Sequence, residues 1–517
     1  IEEINKNPSL LPNVTLGYHI YDSCGNEMKA VRSILQILSG TKEPVPNYSC
    51  GRKRNIAGFI GDFTSETTMI SAQILSLFGF SQISYGASDP SLSDRVAFPY
   101  FFRTKQSFHG SSVVLIKLLK HFGWTWVGII RLDDNSGETE LQVLTDYLSR
   151  AGICVEFTIK MNTHFDDTYN RQMDIDGMKK IITNSTTNII VFCGRLSEIS
   201  ASKLIPLSAE LNKKTLILSP SVALLEHLQR YIMPSFDGSL MFEQYSIYPR
   251  DNHGIIEFIN SIHPSKDPED KLLEDILLIT FKCSSKNEYK NLLYKHLYSI
   301  YNAECTDKVV AEALVILNLT LLNVHSPNVH LAVNIMSQAI HEMHTSLREQ
   351  SPERDREAHH YQKLISASFQ LHRYLKETKH QTQSEGTVSF DGNGEMNTGY
   401  IIYDFMFSKK RLNLNLFGEF LPFSPSDSQL IVYLQTKPWK TKNSTIPRAQ
   451  CADTCQPGYR KALKPGLQPC CYECIHCSEG EISNRTDSEN CFRCPDLEWP
   501  NEKRNQCIAK TEEFLSH

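Results

Sequence analysis

Nine cysteines lie between Cys451 and Cys507, in a stretch with few aliphatic residues to build a core. Two chemistries suit that density, a structural zinc site or a set of disulfide bonds. The C-x-x-C spacing within the stretch is compatible with zinc. It occurs at Cys471 and Cys474, at Cys474 and Cys477, and at Cys491 and Cys494. A segment so poor in apolar residues needs such cross-links in order to fold.

Six Asn-x-Ser/Thr triplets favour the disulfide interpretation. Such triplets accept N-linked glycans on secreted proteins, and cysteines on the secretory path become oxidised. One triplet lies inside the cysteine-rich stretch. The acceptor asparagines are Asn13, Asn47, Asn184, Asn318, Asn443 and Asn484. We therefore predict disulfide bonds in this stretch rather than zinc.

The 517 residues are too many for one hydrophobic core, so two to four domains are expected. The net charge is −5 and no basic stripe occurs, which argues against a nucleic-acid partner. The sequence contains no signal peptide and no apolar run of membrane-spanning length. Its first residues read as the end of a helix, which indicates a cut through a domain. Paired histidines lack a third ligand nearby, so we predict no metal and no cofactor. They are His341 with His344, and His359 with His360.

Strand and helix patterns alternate through about the first 430 residues. Strand patterns such as NIAGFIGDF and WVGIIRL alternate with helical patterns such as SETTMISAQILSLFGF and SVVLIKLLKHFG. This alternation predicts parallel sheets with helices on both faces. In such sheets ligands bind beyond the carboxyl ends of the strands, where the loops GDFTS, YGASD and LDDNSG lie.

Four further stretches are distinctive: LLPNVTLGYHIYDSC, GFIGDFTSETTMISAQILSLFGFSQISYGASDPSLSD, FPYFFRT and HFGWTWVGII. They resemble the Venus-flytrap ectodomain of class C G-protein-coupled receptors. The nine-cysteine stretch resembles the cysteine-rich linker that joins this ectodomain to the membrane bundle. Among class C groups the vomeronasal type-2 receptors are the most similar, through GYHIYDSC and VPNYSC.

The resemblance implies an α/β fold, a bilobed Venus-flytrap domain of the periplasmic-binding-protein type, followed by a small, disulfide-rich, mostly β cysteine-rich domain. The expected limits are 1–445 for the N-terminally truncated Venus-flytrap domain and 446–517 for the cysteine-rich domain. Lobe 1 is expected at about 1–105 and 252–425, and lobe 2 at about 106–251 plus a later crossing. A seven-helix membrane domain is expected to follow.

The resemblance also implies a ligand cleft. In amino-acid-sensing relatives a serine after the first strand holds the ligand carboxylate, and that position matches Ser65. A free hydroxyl at a helix N-terminus suits an anion; the alternative is that Ser65 only caps its helix. The second family contact matches Gly86, Ala87 and Ser88. Their backbone carbonyls and the Ser88 hydroxyl would meet a ligand, or the segment is a plain turn.

Four positions depart from the amino-acid-binding pattern of the family. Phe108 and Ser219 stand where acidic residues are expected, Ser136 replaces an aromatic residue, and Phe63 is bulky where relatives are small. Burying an unpaired ammonium group costs on the order of several kcal/mol. We therefore expect a peptide or small protein pheromone rather than a free amino acid. The carboxylates that would otherwise pair an ammonium group are Glu66, Asp133 and Asp134.

By resemblance, eight of the nine cysteines pair among themselves and Cys470 pairs with Cys154 in lobe 2, so that lobe 2 and the stalk would move as one body. The remaining implied pairs are Cys283–Cys305, Cys451–Cys471, Cys455–Cys474, Cys477–Cys491 and Cys494–Cys507. Cys50 is either an intersubunit cysteine or a free thiol. Cys24 would pair upstream of Ile1, and Cys193 reads as a buried thiol.

The resemblance thus implies the extracellular region of a plasma-membrane receptor. Ligand-induced lobe closure would pass through the cysteine-rich stalk to a heterotrimeric G protein, in a dimer with another class C protomer. An amino-acid or calcium sensor is the alternative within the family, and a soluble ligand carrier is a further alternative. We find no G-x-S-x-G, G-x-x-x-x-G-K or H-E-x-x-H motif and predict no enzyme. The polar stretch 346–362 is predicted to be a solvated loop.

Overall fold

The computed structural model describes residues 1–40, 55–162, 168–194, 204–220, 236–245, 275, 283–284, 287–298, 303–304, 326–349, 368–382, 386–408, 411–433, 439–441 and 443–511. The chain divides into two units. Unit 1 contains Ile1–Gly110, Gln244–Tyr400 and Leu421–Pro425. Unit 2 contains Ser111–Glu243, Ile401–Phe420 and Ser426–His517, and so includes the whole cysteine-rich stretch.

Several helices begin at a residue whose side chain caps the first free N–H groups. Asn26 accepts a hydrogen bond from the Lys29 backbone N–H at the start of α2, and Gly40 ends that helix with a positive φ. Asp134 caps α5 in the same way, through Gly137. The helices are α1 Glu2–Lys6, α2 Glu27–Ser39, α3 Ser65–Leu77, α4 Phe108–His121, α5 Asn135–Ala151, α6 Thr168–Asn184, α7 Ser208–Leu211, α8 Glu288–Tyr298, α9 Ser326–Glu349 and α10 Leu371–Glu377.

Twenty-one strands lie in the described residues. In order they are β1 Phe59–Ile60, β2 Gln82–Ser84, β3 Phe101–Arg103, β4 Trp126–Leu132, β5 Cys154–Met161, β6 Ile189–Cys193, β7 Thr215–Leu218, β8 Ser239–Gln244, β9 Cys283–Ser284, β10 Ala303–Glu304, β11 His380–Thr382, β12 Gly386–Val388, β13 Tyr400–Ser408, β14 Arg411–Phe420, β15 Leu430–Val432, β16 Tyr459–Leu463, β17 Tyr472–His476, β18 Glu481–Ile482, β19 Phe492–Arg493, β20 Glu498–Pro500 and β21 Cys507–Ala509.

Unit 1 contains a parallel sheet of the strands β1, β2 and β3, in that order. Helix α3 connects β1 to β2, so the loops after these two strands lie at the same edge of the sheet. The buried side chains of the sheet pack against α9 and α10. The buried residues that the sheet and the two helices contribute to this core are Ile83, Phe102, Leu331, Ala332, Ile335, Met336, Ala339, Ile340, Met343, Leu371 and Leu375.

Unit 2 contains an eight-stranded sheet with the order β15-β14-β13-β8-β7-β6-β4-β5. The pairs from β5 across to β8 are parallel, with Ile130 of β4 opposite Phe192 of β6. Strands β4, β6 and β7 are almost continuously apolar and buried, as expected for parallel strands covered by helices. The alternation of strand and helix patterns therefore predicted this part of the fold correctly.

The cysteine-rich domain of unit 2 consists of three two-stranded antiparallel pairs, β16–β17, β18–β19 and β20–β21. Disulfide bonds take the place of a hydrophobic core here, in agreement with its composition. Within the domain the structure joins Cys451–Cys471, Cys455–Cys474, Cys477–Cys491 and Cys494–Cys507. These are the pairs that the resemblance implies.

The unit limits differ from the expected lobe limits by a few residues. The first break lies after Gly110 and the second after Glu243, compared with 105 and 251. The later crossing is Ile401–Phe420, because β13 and β14 join the large sheet of unit 2. Helix α9 runs to Glu349, so the first residues of the stretch 346–362 are helical rather than loop. The remainder of that stretch lies outside the described residues.

Candidate functional site

The loops after β1 and β2 carry the predicted ligand residues of unit 1, except for Phe108, which is the first residue of α4. Ser65 is the first residue of α3, but the residue that caps the helix is Thr64, whose side chain accepts from the Thr67 N–H at 3.3 Å. The alternative that Ser65 caps α3 is therefore wrong. Only a residue with extended backbone can turn its oxygen back onto the first free N–H groups, and Thr64 has that conformation.

The Ser65 hydroxyl instead joins the two loops. Its oxygen accepts hydrogen bonds from the backbone N–H groups of Ser88 and Asp89, each at 3.2 Å. A hydroxyl that accepts twice keeps its own hydrogen as a donor. The chemistry of this position therefore suits a ligand atom that accepts a hydrogen bond, such as a carbonyl or carboxylate oxygen.

Glycine is required at position 86 because the backbone passes against Phe63. A side-chain carbon at Gly86 would collide with the Phe63 carbonyl oxygen and ring. The Phe63 ring stacks on Tyr85 with their centroids 6.3 Å apart. Burial, with the nearby Asp62 carboxylate, raises the pKa of Tyr85 above its ordinary value, so its phenol stays protonated. Phe63 and Gly86 thus set the shape of this loop pair.

Three of the predicted residues are buried. Ala87 is fully buried and packs with Ala72, Leu92, Phe98 and Phe101. Phe108 is 4 % exposed and Ser88 6 % exposed. The Ser88 carbonyl accepts a hydrogen bond from the Phe108 N–H at 3.1 Å. Ala87 and Phe108 therefore contribute to packing of the loop.

An ion pair that our sequence reasoning missed holds the second loop in place. Arg103 is completely buried at the end of β3, and its guanidinium lies 2.6 Å from a carboxylate oxygen of Glu395. The same guanidinium donates to the Asp89 carbonyl at 2.7 Å. The other Glu395 oxygen accepts from the Ser107 N–H at 3.0 Å, and Ser93 donates to the first at 2.6 Å.

The electrostatics of this pair favour the charged carboxylate. Burial by itself raises the pKa of Glu395, but the Arg103 charge and the hydrogen bonds from Ser107, Ser93 and Arg103 outweigh it. The resulting pKa lies below the ordinary value. A signal for this role was present in the FFRT stretch, where an arginine ends an otherwise apolar strand.

The remaining predicted ligand residues belong to unit 2. Ser136 is the second residue of α5 and is half-buried. Ser219 follows β7, is 7 % exposed and lines a small cavity within the unit. Two of the three carboxylates proposed as substitutes have other partners: Asp134 caps α5, and Asp133 pairs with Lys160 at 2.9 Å. The third, Glu66, is the second residue of α3 in unit 1.

Sequence reasoning missed Glu140, a buried carboxylate that lines the same cavity as Ser219. Glu140 is 3 % exposed and accepts a hydrogen bond from the Gly194 N–H at 2.8 Å. It occupies the buried face of α5 together with Leu144 and Leu148. Burial, with the nearby Glu140, raises the pKa of the Cys193 thiol well above its ordinary value. An acid on an apolar helix face was the signal available in the sequence.

The odd cysteine of the cysteine-rich domain pairs within unit 2. Cys470 is joined to Cys154, the first residue of β5, across 316 residues of chain. Cys24 is a free exposed cysteine and Cys193 a free buried one.

Some predicted residues lie outside the described part of the chain. They are Cys50, Cys305, His359, His360 and the acceptors Asn47 and Asn318, together with the side chain of Cys283. The other acceptor asparagines are exposed: Asn13, Asn184, Asn443 and Asn484.

Two family models match the chain, one after the other. The model described as receptor family ligand binding region matches residues 1–407, and the model described as nine cysteines domain of family 3 GPCR matches residues 446–500. The chain belongs to the ligand-binding family of class C receptors. It is an extracellular ligand-binding region of this receptor class.

Sequence identity to individual receptors supports this family assignment. The chain is 28% identical over 530 residues to vomeronasal type-2 receptor 26 of Mus musculus, covering 100% of this chain and 59% of the relative. It is 25% identical to vomeronasal type-2 receptor 116 of the same species, covering 100% and 58%. The extracellular calcium-sensing receptor of Sus scrofa is 26% identical, with 100% and 49% covered. The chain thus spans about half the length of these relatives. Within its described residues no helix has the length and apolarity to cross a bilayer.

Proposed function

We propose that this chain is the ligand-sensing region of a vomeronasal-type pheromone receptor at the plasma membrane and that it has no enzymatic activity. The observation that carries the proposal is the order of the two family matches, a ligand-binding region followed by a nine-cysteine domain, in one chain. Similarity to vomeronasal receptors over the whole chain supports the receptor subgroup.

The ligand is a peptide or small protein in this proposal. The Ser65 hydroxyl, which accepts from the loop backbone, offers its hydrogen to a carbonyl or carboxylate oxygen of the ligand. Phe108 replaces the family's acidic residue and is buried, and both loop aspartates of unit 2 already have structural partners. Of the three candidate carboxylates, Glu66, next to Ser65, is then the one left to pair the ammonium group that a free amino acid carries.

The signal in this proposal passes from the ligand-binding lobes through the cysteine-rich domain. Because Cys154 ties that domain to unit 2, movement of the unit on ligand binding carries the domain along. A second class C protomer and a heterotrimeric G protein, reached through a membrane domain, are the proposed partners. Homo- and heterodimers both fit this scheme.

A calcium or amino-acid sensor is the second candidate, favoured by 26% identity to calcium-sensing receptors. Thermal unfolding of the purified chain separates the candidates, because a specific ligand at a hundredfold excess over its dissociation constant stabilises by about 2.7 kcal/mol. We expect a shift with active peptide fractions and none with calcium or free amino acids. A clear shift with a free amino acid would overturn the peptide assignment.

The Ser65→Ala and Ser88→Ala double variant tests the site itself. We expect weaker binding of the stabilising peptide fraction, with a loss of stability of about 1–2 kcal/mol from the two hydroxyls. Ser76→Ala, at the far end of the same helix α3, is the matched control and should bind as the parent chain does. Unchanged binding by a well-folded double variant would place the ligand elsewhere.

A further inference from the structure

The segment between the lobes and the cysteine-rich domain, residues 443–450, is attached to unit 2 through its last four residues, 447–450. We call it the linker. The Ala449 carbonyl accepts hydrogen bonds from two successive backbone N–H groups, those of Thr125 at 2.9 Å and Trp126 at 3.0 Å. Ala449 is 1 % exposed. These bonds fasten the linker to the start of β4, the strand beside β5.

Side chains from unit 2 bind the two preceding linker carbonyls. The Trp124 indole N–H donates to the Pro447 carbonyl at 2.7 Å, and the Asn188 amide donates to the Arg448 carbonyl at 2.9 Å. In return the Gln450 side chain donates to the Gly123 carbonyl at 3.1 Å. Three consecutive linker carbonyls are therefore bonded to groups of unit 2.

An aromatic cluster around Trp124 supports this attachment. Trp124 is 1 % exposed. Its ring stacks on Phe122, with the centroids 4.6 Å apart, and contacts Trp439 edge-on, with the centroids 5.9 Å apart. Trp439 is itself buried and also packs edge-on against Phe417 of β14. Edge-on and offset-stacked aromatic contacts add to the apolar burial, so the residues just before the linker are anchored as well.

The disulfide attaches the cysteine-rich domain at a different place. Cys470 bonds to Cys154, and Gln468 donates to the Val155 carbonyl at 2.6 Å, so this contact involves β5. Trp126 lies opposite Cys154 in the sheet and packs against both Cys470 and Cys154. The two attachments therefore reach adjacent strands by separate segments of chain.

We propose that the linker is a second, non-covalent joint, independent of the disulfide, that keeps the cysteine-rich domain on unit 2 when the Cys154–Cys470 bond is absent. A domain held at one point can pivot about it, whereas a domain held at two points moves with its support. The joint itself does not depend on the proposed function, although its consequence for signalling rests on that function. In a signalling receptor, the disulfide alone or the linker alone would transmit only part of the movement of unit 2 to the cysteine-rich domain.

The rate of tryptic cleavage after Arg448 in the purified chain reports how often the linker detaches, because trypsin cuts this bond when the linker has left unit 2. The product that begins at Ala449 is quantified by mass spectrometry. We compare the parent chain with the disulfide variant Cys154→Ser/Cys470→Ser and with the linker variant Trp124→Phe/Asn188→Ala/Gln450→Ala.

The linker variant is expected to be cut about a hundredfold faster than the parent, since each lost hydrogen bond changes the opening equilibrium roughly fivefold. The gentler Asn188→Ala/Gln450→Ala variant, which keeps the aromatic cluster, should be cut about 25-fold faster. The disulfide variant should remain within about threefold of the parent.

Two results would overturn the proposal. One is cleavage of the folded linker variants at the parent rate, and the other is cleavage of the disulfide variant as fast as the linker variant. Gln468→Ala is the matched control, because it removes one hydrogen bond beside the disulfide and none from the linker. It should be cut at the parent rate.

Discussion

Replacing Glu395 with glutamine is expected to lower the free energy of unfolding of unit 1 by about 3 kcal/mol. Arg103 is completely buried and keeps its positive charge, so removal of the Glu395 charge leaves that ion uncompensated inside the unit. Breaking one side of a buried pair costs about 3–5 kcal/mol. The lower end applies because the glutamine oxygen still accepts from Ser93 and Arg103, which both bind the same carboxylate oxygen.

The effect should depend on pH in a defined direction. The pKa of Glu395 in the folded chain lies below its ordinary value of 4.5. The carboxylate therefore contributes its full stabilisation above about pH 4.5 and loses it as the pH falls through the lower folded pKa. Glutamine does not titrate. The difference between parent and variant should thus be largest near neutral pH and shrink in acid.

Urea unfolding, followed by hydrogen exchange at the amides of β2 and β3, measures the difference in free energy of unfolding of unit 1 between the parent and the variant. Asp146→Asn is the matched control, because Asp146 pairs with Arg150 on an exposed face of α5, where side chains are 52% and 76% exposed. It should cost at most about 0.5 kcal/mol. A loss below about 1 kcal/mol for Glu395→Gln, or an equal loss at neutral and acidic pH, would refute the reasoning.

Three further outcomes are expected. Full-length receptor carrying Cys154→Ser and Cys470→Ser should bind ligand normally but signal less, and full signalling at normal surface expression would contradict the coupling role. In the native chain iodoacetamide should label the exposed Cys24 and reach the buried Cys193 only after unfolding; equal labelling of both in the folded chain would contradict their placement. Asn484→Gln should remove one glycan from secreted protein, seen as a mass change on glycosidase treatment, and an unchanged mass would show that this exposed site is not used.

Local sequence patterns were sufficient for much of the architecture. The strand pattern WVGIIRL contains β4 and the helical pattern SETTMISAQILSLFGF contains α3, because strand and helix periods depend on neighbouring residues. The cysteine pairs came from resemblance to a family, since spacing by itself admits many connectivities.

Local patterns cannot choose between adjacent residues of similar chemistry. Thr64 and Ser65 both carry hydroxyls at the start of α3, and the backbone conformation decides that Thr64 caps the helix. The Ser65 oxygen then meets N–H groups of Ser88 and Asp89, 23 and 24 residues away. That contact exists because β1 and β2 are neighbours in one sheet, which is a tertiary property.

The groups that hold the candidate site and the linker joint are more distant still. Arg103 and Glu395 are separated by 292 residues, and Trp124 and Pro447 by 323. In the sequence Arg103 ends the apolar strand in FFRT, but nothing nearby names its partner, and Pro447 belongs to a polar linker. Only folding excludes water from the Arg103 charge and the Pro447 carbonyl, and each then requires a buried partner. The sequence by itself determined the elements and the family, and the tertiary structure decided which polar groups must meet.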